Sequence, residues 1–402
     1  MPNLIARWRD SALFSSLRDL GQLVSIPLAG ANAANDATPV ETRVVRGTWL
    51  PTETYPLPAP IVLQAHPENP DADTEMVTRE VPFLDISNAS LYFDGGKWWI
   101  ENLSGHLIAV AQISERPAET ASARPRHLSG TSMMLGASDG ANCYYHFVME
   151  LLPRLGLLEA NGIAIDDIDH FLMRRITGRW QLALLEELGI GRERIVETHK
   201  RPWLRCDRLL HADLNGCINL GMHRFVVEWL QQRFPGRNDL SLDSILGRRL
   251  PHDEELKLYI TRPQGVRRGV ENETALVAML EDAGFITLPM EGLTPFQQAA
   301  LLARVDVLMS PHGGALTNMI WCRPGIRVVE LLSRHVFPYY YGLSALCGHR
   351  YHAILENPTE DYARLTSHAI AQSYSGTAGE TRARPFSVDL DAVSAMLEHL
   401  AE

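Results

Sequence analysis

From Leu256 onward, apolar runs alternate with amphipathic stretches. "LKLYIT" reads as a buried strand. "VENETALVAMLEDAGF" reads as a helix with Asn272 at the N-cap, acids around the first turn and Gly284 at its end. "FITLP" predicts a second strand. "LTPFQQAALLAR" predicts a second helix, with Thr294 as N-cap, Pro295 at the first helical position and Gln297 completing a capping box. "VDVLMS" is then a third strand, "GALTNMIWC" a third helix stopped by Pro324-Gly325, and "IRVVELL" a fourth strand. Apolar strands alternating with helices mark a parallel sheet covered on both faces, and so an α/β fold.

Upstream the pattern changes. Between Thr48 and Ala111 the apolar runs are short and broken by Pro, Asp and Gly, and Asp94-Gly95-Gly96 between alternating segments predicts a hairpin. Helical periods dominate Tyr144 to Leu188, and Phe225 to Phe234 reads as another helix. Residues 31–41 read as a linker and 235–255 as a connection between domains. At the N-terminus, Trp8, Leu13, Phe14, Leu17 and Leu20 share a helical face, while Arg7, Arg9, Asp10, Arg18 and Asp19 interrupt it. That segment is too charged to be a signal core or to span a bilayer. It is expected to dock on the body, with weak membrane-surface contact as the alternative. Near the C-terminus, Val388, Leu390, Val393, Met396, Leu397 and Leu400 form the apolar stripe of a closing helix.

The bulk numbers narrow the function classes. A chain of 402 residues, 46% hydrophobic and 21% charged, is globular and long enough for two domains. A net charge of -11 argues against nucleic acid as a partner, because duplex binding relies on clustered Lys and Arg. The five cysteines, Cys143, Cys206, Cys217, Cys322 and Cys347, are scattered without a Cys-x-x-Cys pair. This argues against a disulfide framework or zinc site and favours a reducing compartment, the cytoplasm. The sequence sets no oligomeric state.

The chemistry collects at His312-Gly313-Gly314, where the third strand ends and the next helix opens. Ligands of doubly wound sheets bind at such crevices, and helix N-termini favour anions. A plain tight turn is the competing reading. Arg262, with Arg267 and Arg268, follows the first strand of the same sheet, so the guanidinium forks can converge on a phosphate at the turn. Glu330, near the end of the fourth strand, could accept bonds from ribose hydroxyls. Together these describe a nucleotide diphosphate site. In the other half, "CYYHFVMELLPRL" places His146 and Glu150 four apart on one helical face, either as an acid/base pair or as a satisfied core pair. The acidic pairs at Asp71 to Asp73, Asp167 to Asp169 and Asp389 to Asp391 do not follow an apolar strand, so no metal is expected. "GASDG", Gly136 to Gly140, matches a nucleophile elbow around Ser138. A serine esterase, however, would carry its His-Gly-Gly turn before the nucleophile, and here it follows.

"YYHFVMELLPRL", "LYITR" and "PHGGALTNMIWCRPGIRVVELL" together resemble glycosyltransferase family 61, over roughly Asn142 to Leu332. The family includes bacterial capsule-type proteins of polysaccharide biosynthesis. The resemblance implies a GT-B architecture, two Rossmann-like domains with parallel sheets facing across a cleft, and inverting transfer without an obligatory metal or other cofactor. The implied division is 1–45 helix and linker, 46–245 acceptor-side domain, 246–365 nucleotide-sugar domain, and 366–402 crossing segment and helix packing back on the first domain. It implies that His312, Gly313, Gly314 and Ala315 line the diphosphate and that Arg262, Arg267 and Arg268 neutralise it. Asn318 falls in the same donor-binding motif, Glu330 holds the ribose, and His146 and Glu150 face the acceptor. The expected reaction moves a sugar from a nucleotide diphosphate, a UDP-sugar in the first instance, to a hydroxyl of a glycan or glycolipid at the inner face of the membrane. The alternative is a non-catalytic nucleotide-sugar-binding subunit of a polysaccharide assembly.

Overall fold

A computed structural model describes residues 42–65, 71–94, 97–102, 107–110, 124–136, 142–200, 203–212, 214, 222–234, 240–251, 253–262, 267–334, 336–367 and 384–402. The N-terminal helix, its linker and Ser138 lie outside the described residues. In chain order the first strands are β1 (Val44–Leu50), β2 (Thr54–Pro56), β3 (Glu75–Val77), β4 (Val81–Asp94) and β5 (Lys97–Glu101). There follow β6 (Leu107–Val110), β7 (Arg126–Gly136), β8 (His170–Met173), β9 (Ile195–Glu197) and β10 (Trp203–Ala212). The last five are β11 (Lys257–Ile260), β12 (Phe285–Leu288), β13 (Val307–Pro311), β14 (Arg327–Leu332) and β15 (Arg350–Leu355).

The chain forms two compact units, 1–52 with 80–215, and 53–79 with 216–402. The first unit holds a mixed sheet in the order β6-β5-β4-β10-β7-β8-β9, with β1 also on β4. Its parallel part is β10, β7, β8 and β9. The rest is antiparallel, as the predicted hairpin requires, so the sheet departs from the parallel one of a Rossmann-like domain. The reason is local: the turn predicted at Asp94 pairs Asp94 with Lys97, and a two-residue connection can join only antiparallel strands. Ile86, Leu91, Ile100, Leu128, Leu172 and Leu204 fill one face of this sheet.

The second unit is the predicted parallel sheet, in the order β12-β11-β13-β14-β15. Residues 53–79 belong to it rather than to the first domain as expected. Ile61 pairs beside β15, donating its N–H to Tyr351 O (2.9 Å) and accepting from Ala353 N (3.0 Å). The helix Arg224–Arg233 belongs there too, because Gln231 Nε2 donates to Ile320 O at 2.8 Å. The boundary therefore falls near residue 215, not 245.

The closing helix, Leu390–Ala401, corrects a further expectation. Val388, Val393, Met396 and Leu400 share one core with Tyr259, Leu280, Phe285, Val307 and Val329, so the helix covers the second unit's own sheet. Asn272 fixes its approach. The side-chain amide donates to Val388 O (2.8 Å) and accepts from Val388 N (2.9 Å), so Asn272 does not cap its own helix, Glu273–Asp282. The Thr294 capping box forms as read. The segment after the glycine turn, Gly314–Trp321, is a 3-10 helix rather than an α-helix. Among the described residues no helix is long and apolar enough to cross a membrane.

Candidate active site

In the second unit β12 lies on one side of β11 and β13 on the other. The chain reverses its direction of travel there, and the crevice at the carboxyl ends of such strands is where open α/β sheets take ligands. Arg262 follows β11, and His312 follows β13. One guanidinium ties the two loops together. Arg262 Nη1 donates to the carbonyls of Arg267 (2.8 Å), His312 (3.2 Å) and Arg268 (3.5 Å). Its own backbone N–H donates to Glu273 Oε1 (3.1 Å), which Tyr259 Oη also approaches at 3.2 Å.

This explains the first glycine of the turn. Gly313 has an extended φ of 168°, which any residue adopts. The requirement is space: a Cβ there would lie 2.7 Å from Arg262 Nη2 and 3.0 Å from its Cζ. The turn is held on its other side by Tyr340, whose hydroxyl donates to Gly313 O at 2.6 Å. Gly314 and Ala315, both half-buried, open the 3-10 helix, and the first N–H groups of a helix have no partner within it. A positively charged fork and a helix start thus converge on one point, an arrangement suited to an anion. Arg267 is exposed and contributes its carbonyl to Arg262. Arg268 takes a left-handed φ of 60°, uncommon for a side chain of its size.

Two expected donor ligands are placed elsewhere. Glu330 is fully buried beneath the turn, with Oε1 2.5 Å from His312 Nδ1 and Oε2 accepting from Tyr351 Oη at 2.5 Å. Both oxygens face protein donors, so the ribose role is corrected: Glu330 holds His312. Asn318 is also fully buried. Its amide donates to Gln298 Oε1 (2.8 Å) and accepts from Trp321 Nε1 (3.2 Å), tying the 3-10 helix to the helix Pro295–Leu302. It shapes the turn from below. Burial pushes the His312 imidazole below its usual range against the pull of Glu330, and Arg268 and Arg262 add to the depression. Burial, with Glu330 beside it, pushes the Tyr351 phenol up, so it remains a donor.

Sequence reasoning missed Glu273, Tyr340 and Tyr351. Glu273 carried a signal, an acid in the first helical turn after a strand, but that pattern reads equally as an ordinary helix start.

In the first unit, β8 and β9 lie on one side of β7 and β10 on the other, so β7 and β10 flank a second switch point. The segment after β7 carries His146 and Glu150. It begins as Tyr144–His146, widens into a π-helical turn over Phe147–Leu151, and resumes as Pro153–Ala160. Leu152 N bonds back five residues to Phe147 O. Pro153 is the physical cause: it has no N–H to donate, and its ring would crowd the carbonyl four residues earlier. His146 Nδ1 lies 3.1 Å from Glu150 Oε2, as the four-residue spacing predicts. Glu150 is buried, and its Oε1 has no hydrogen-bond partner among the described residues. Gly136, ending β7, lets this segment approach, since a Cβ there would lie 2.8 Å from Leu151 Cδ2.

Two of the acidic pairs serve the backbone: Asp167 accepts from Ala164 N, Asp169 from Thr131 N, and Asp389 caps the closing helix.

Residues 144–329 match the family model described as Glycosyltransferase 61. No curated relative matches the chain. Among solved structures, the chain is similar to the bacterial iron-containing dodecameric glycosyltransferase TibC from enterotoxigenic E. coli H10407. Identity is 13%, over 71% of this chain and 82% of that one, with a TM-score of 0.27. A likeness at that level adds nothing to the reading of the site.

Proposed function

Residues 144–329 match the model of glycosyltransferase family 61, and from that match we propose an inverting transferase that moves a sugar from a nucleotide diphosphate to a hydroxyl of a glycan or glycolipid. The donor's diphosphate lies on Arg262 and the turn from His312 to Ala315. The acceptor meets His146 and Glu150, in a GT-B arrangement. The observation that carries the reading is the convergence of Arg262 with the glycine turn at the β11/β13 switch point.

The chemistry follows from those groups. An acceptor hydroxyl attacks the anomeric carbon as the bond to the departing phosphate breaks, and the configuration inverts. His146 takes the hydroxyl proton, with Glu150 orienting the ring. Negative charge growing on the phosphate is met by Arg262 and the first N–H groups of the 3-10 helix, fixed donors that need no reorganisation. Such donors can serve in place of a metal. Reaction at the inner face of the membrane, in polysaccharide biosynthesis, fits the resemblance read from the sequence.

The test is a thermal-shift screen with UDP-, GDP-, CMP- and dTDP-sugars, followed by transfer assays in excess EDTA. A rise in melting temperature with one nucleotide class, UDP first, and transfer that survives EDTA are expected. No shift with any of them, or activity lost to chelator and restored by manganese, overturns the donor or the metal-independent part respectively.

A further inference from the structure

The buried chain Tyr351–Glu330–His312 reaches the anion turn from beneath. Tyr351 on β15 donates to one oxygen of Glu330 on β14, and His312 meets the other, each at 2.5 Å. All three residues are at least nine-tenths buried. The backbone that carries the ring is fixed as well. His312 N donates to Leu331 O (2.9 Å), Arg262 holds His312 O, and Tyr340 holds Gly313 O. The backbone bonds fix where the imidazole sits, and the carboxylate at Nδ1 bears on which nitrogen is protonated.

We infer that Tyr351 and Glu330 are positioning residues that orient His312 through Nδ1, so that His312 meets the donor's diphosphate as an imidazolium donating from Nε2. The inference rests on the donor reading above. A carboxylate bonded to Nδ1 keeps a proton on that nitrogen, so the proton that charges the ring sits on Nε2. Among the described residues, the groups facing the ring include Glu330 and, through it, Tyr351; Arg262 and Arg268 from the loop after β11; and Tyr339 and Tyr340 from the helix Tyr339–Cys347. Without an anion, burial and the two arginines disfavour the imidazolium against the pull of Glu330. A diphosphate on Arg262 cancels the repulsion from the arginines, and the ring takes up a proton as the anion binds. The proton comes from solvent, and no bond other than N–H is made or broken.

Tyr351 tunes this from a distance. Its hydroxyl shares the charge of Glu330, so its removal leaves that charge to the imidazole alone and favours the imidazolium. Removing the charge of Glu330 does the opposite. The two variants therefore shift one group in opposite directions, which a merely structural role would not do.

The experiment is an NMR titration of the full chain with 13C-labelled histidine, His312 being assigned by the signal missing from His312→Gln. The expected order of midpoints is Glu330→Gln lowest, the native protein between, and Tyr351→Phe highest. Coincident midpoints in the native protein and Tyr351→Phe overturn the positioning role, and this comparison stands alone if Glu330→Gln fails to fold. Inorganic pyrophosphate, added just above the native midpoint, should charge His312. If the anion binds and the ring stays neutral, or if it does not bind, the contact with the diphosphate is overturned. The ordering of midpoints needs no ligand, so it is decided separately from the donor reading.

Discussion

At the residue scale the site turns on the fit of Gly313 around Arg262. The glycine was visible in the sequence, and so was the arginine. Their relation was not, because 50 residues separate Arg262 from His312 and only the sheet order brings the two loops together. Arg262→Ala should weaken nucleotide diphosphate binding by about 1.5–3 kcal/mol, the usual worth of bonds to a charged group. Gly313→Ala should do much the same by pushing the guanidinium aside, since its Nη2 would sit 2.7 Å from the new methyl. Both changes remove one interaction, so the double variant measured by calorimetry should cost little more than either alone. Full additivity would show that the glycine serves something else. Glu330 teaches the complementary lesson. A carboxylate near a strand end reads as a ligand, but its burial is set by Tyr351 on the neighbouring strand. His146 and Glu150 were legible because helical spacing is local. His146→Ala should lower kcat roughly 100- to 10,000-fold, the range for a general base, while leaving the affinity for UDP unchanged. Full turnover in that variant would leave the pair a buried structural contact.

At the element scale, the capping box at Thr294 was readable because every residue it needs lies within four positions. The π-helical turn before Pro153 and the 3-10 helix after Gly313 were not read, since apolar periodicity looks alike in all three helix types over a few residues. The closing helix shows where local reading stops. Its apolar stripe predicted the element, but its destination depends on Asn272, 116 residues away, which grips Val388 by both backbone groups. Met396 lies in the core beside Tyr259, Phe285 and Val307. Met396→Ala should therefore cost about 2–5 kcal/mol in urea unfolding, the usual cost of emptying such a position. The loss should appear as reduced amide protection in β11 and β12. A change of only a few tenths of a kcal/mol would place the helix at the margin of that core.

At the scale of the whole molecule, the sequence showed two units but misplaced their boundary. A helix such as Arg224–Arg233 carries no mark of which sheet it will cover. The structure also gives the second unit a titration behaviour that composition does not show. Burial depresses His223, His312, His349 and His352, all in that unit. A histidine whose folded pKa lies below its ordinary 6.5 contributes stability that is complete above pH 6.5 and is lost as pH falls from there through the folded value. Each can contribute a slope of at most about 1.4 kcal/mol per pH unit. Asp361 opposes them: burial raises its carboxyl from 3.8 to about 6, so its contribution is present below 3.8 and is lost as pH rises through about 6. Four histidines outweigh one carboxyl, so the second unit should weaken steadily as pH drops from 7 to 5. The first unit has a different anchor. Burial opposes the charge on Glu197, but Lys200, the Ile176 N–H and Arg192 hold its pKa at about 2, so its contribution persists until pH falls below 4.5. Calorimetry should resolve two transitions, one moving to lower temperature between pH 7 and 5 and one nearly stationary. His349→Asn should flatten the slope of the moving transition, because His349 hydrogen-bonds Met319 O inside that unit. A single transition independent of pH across this range would show that the buried histidines do not govern the second unit's acid stability.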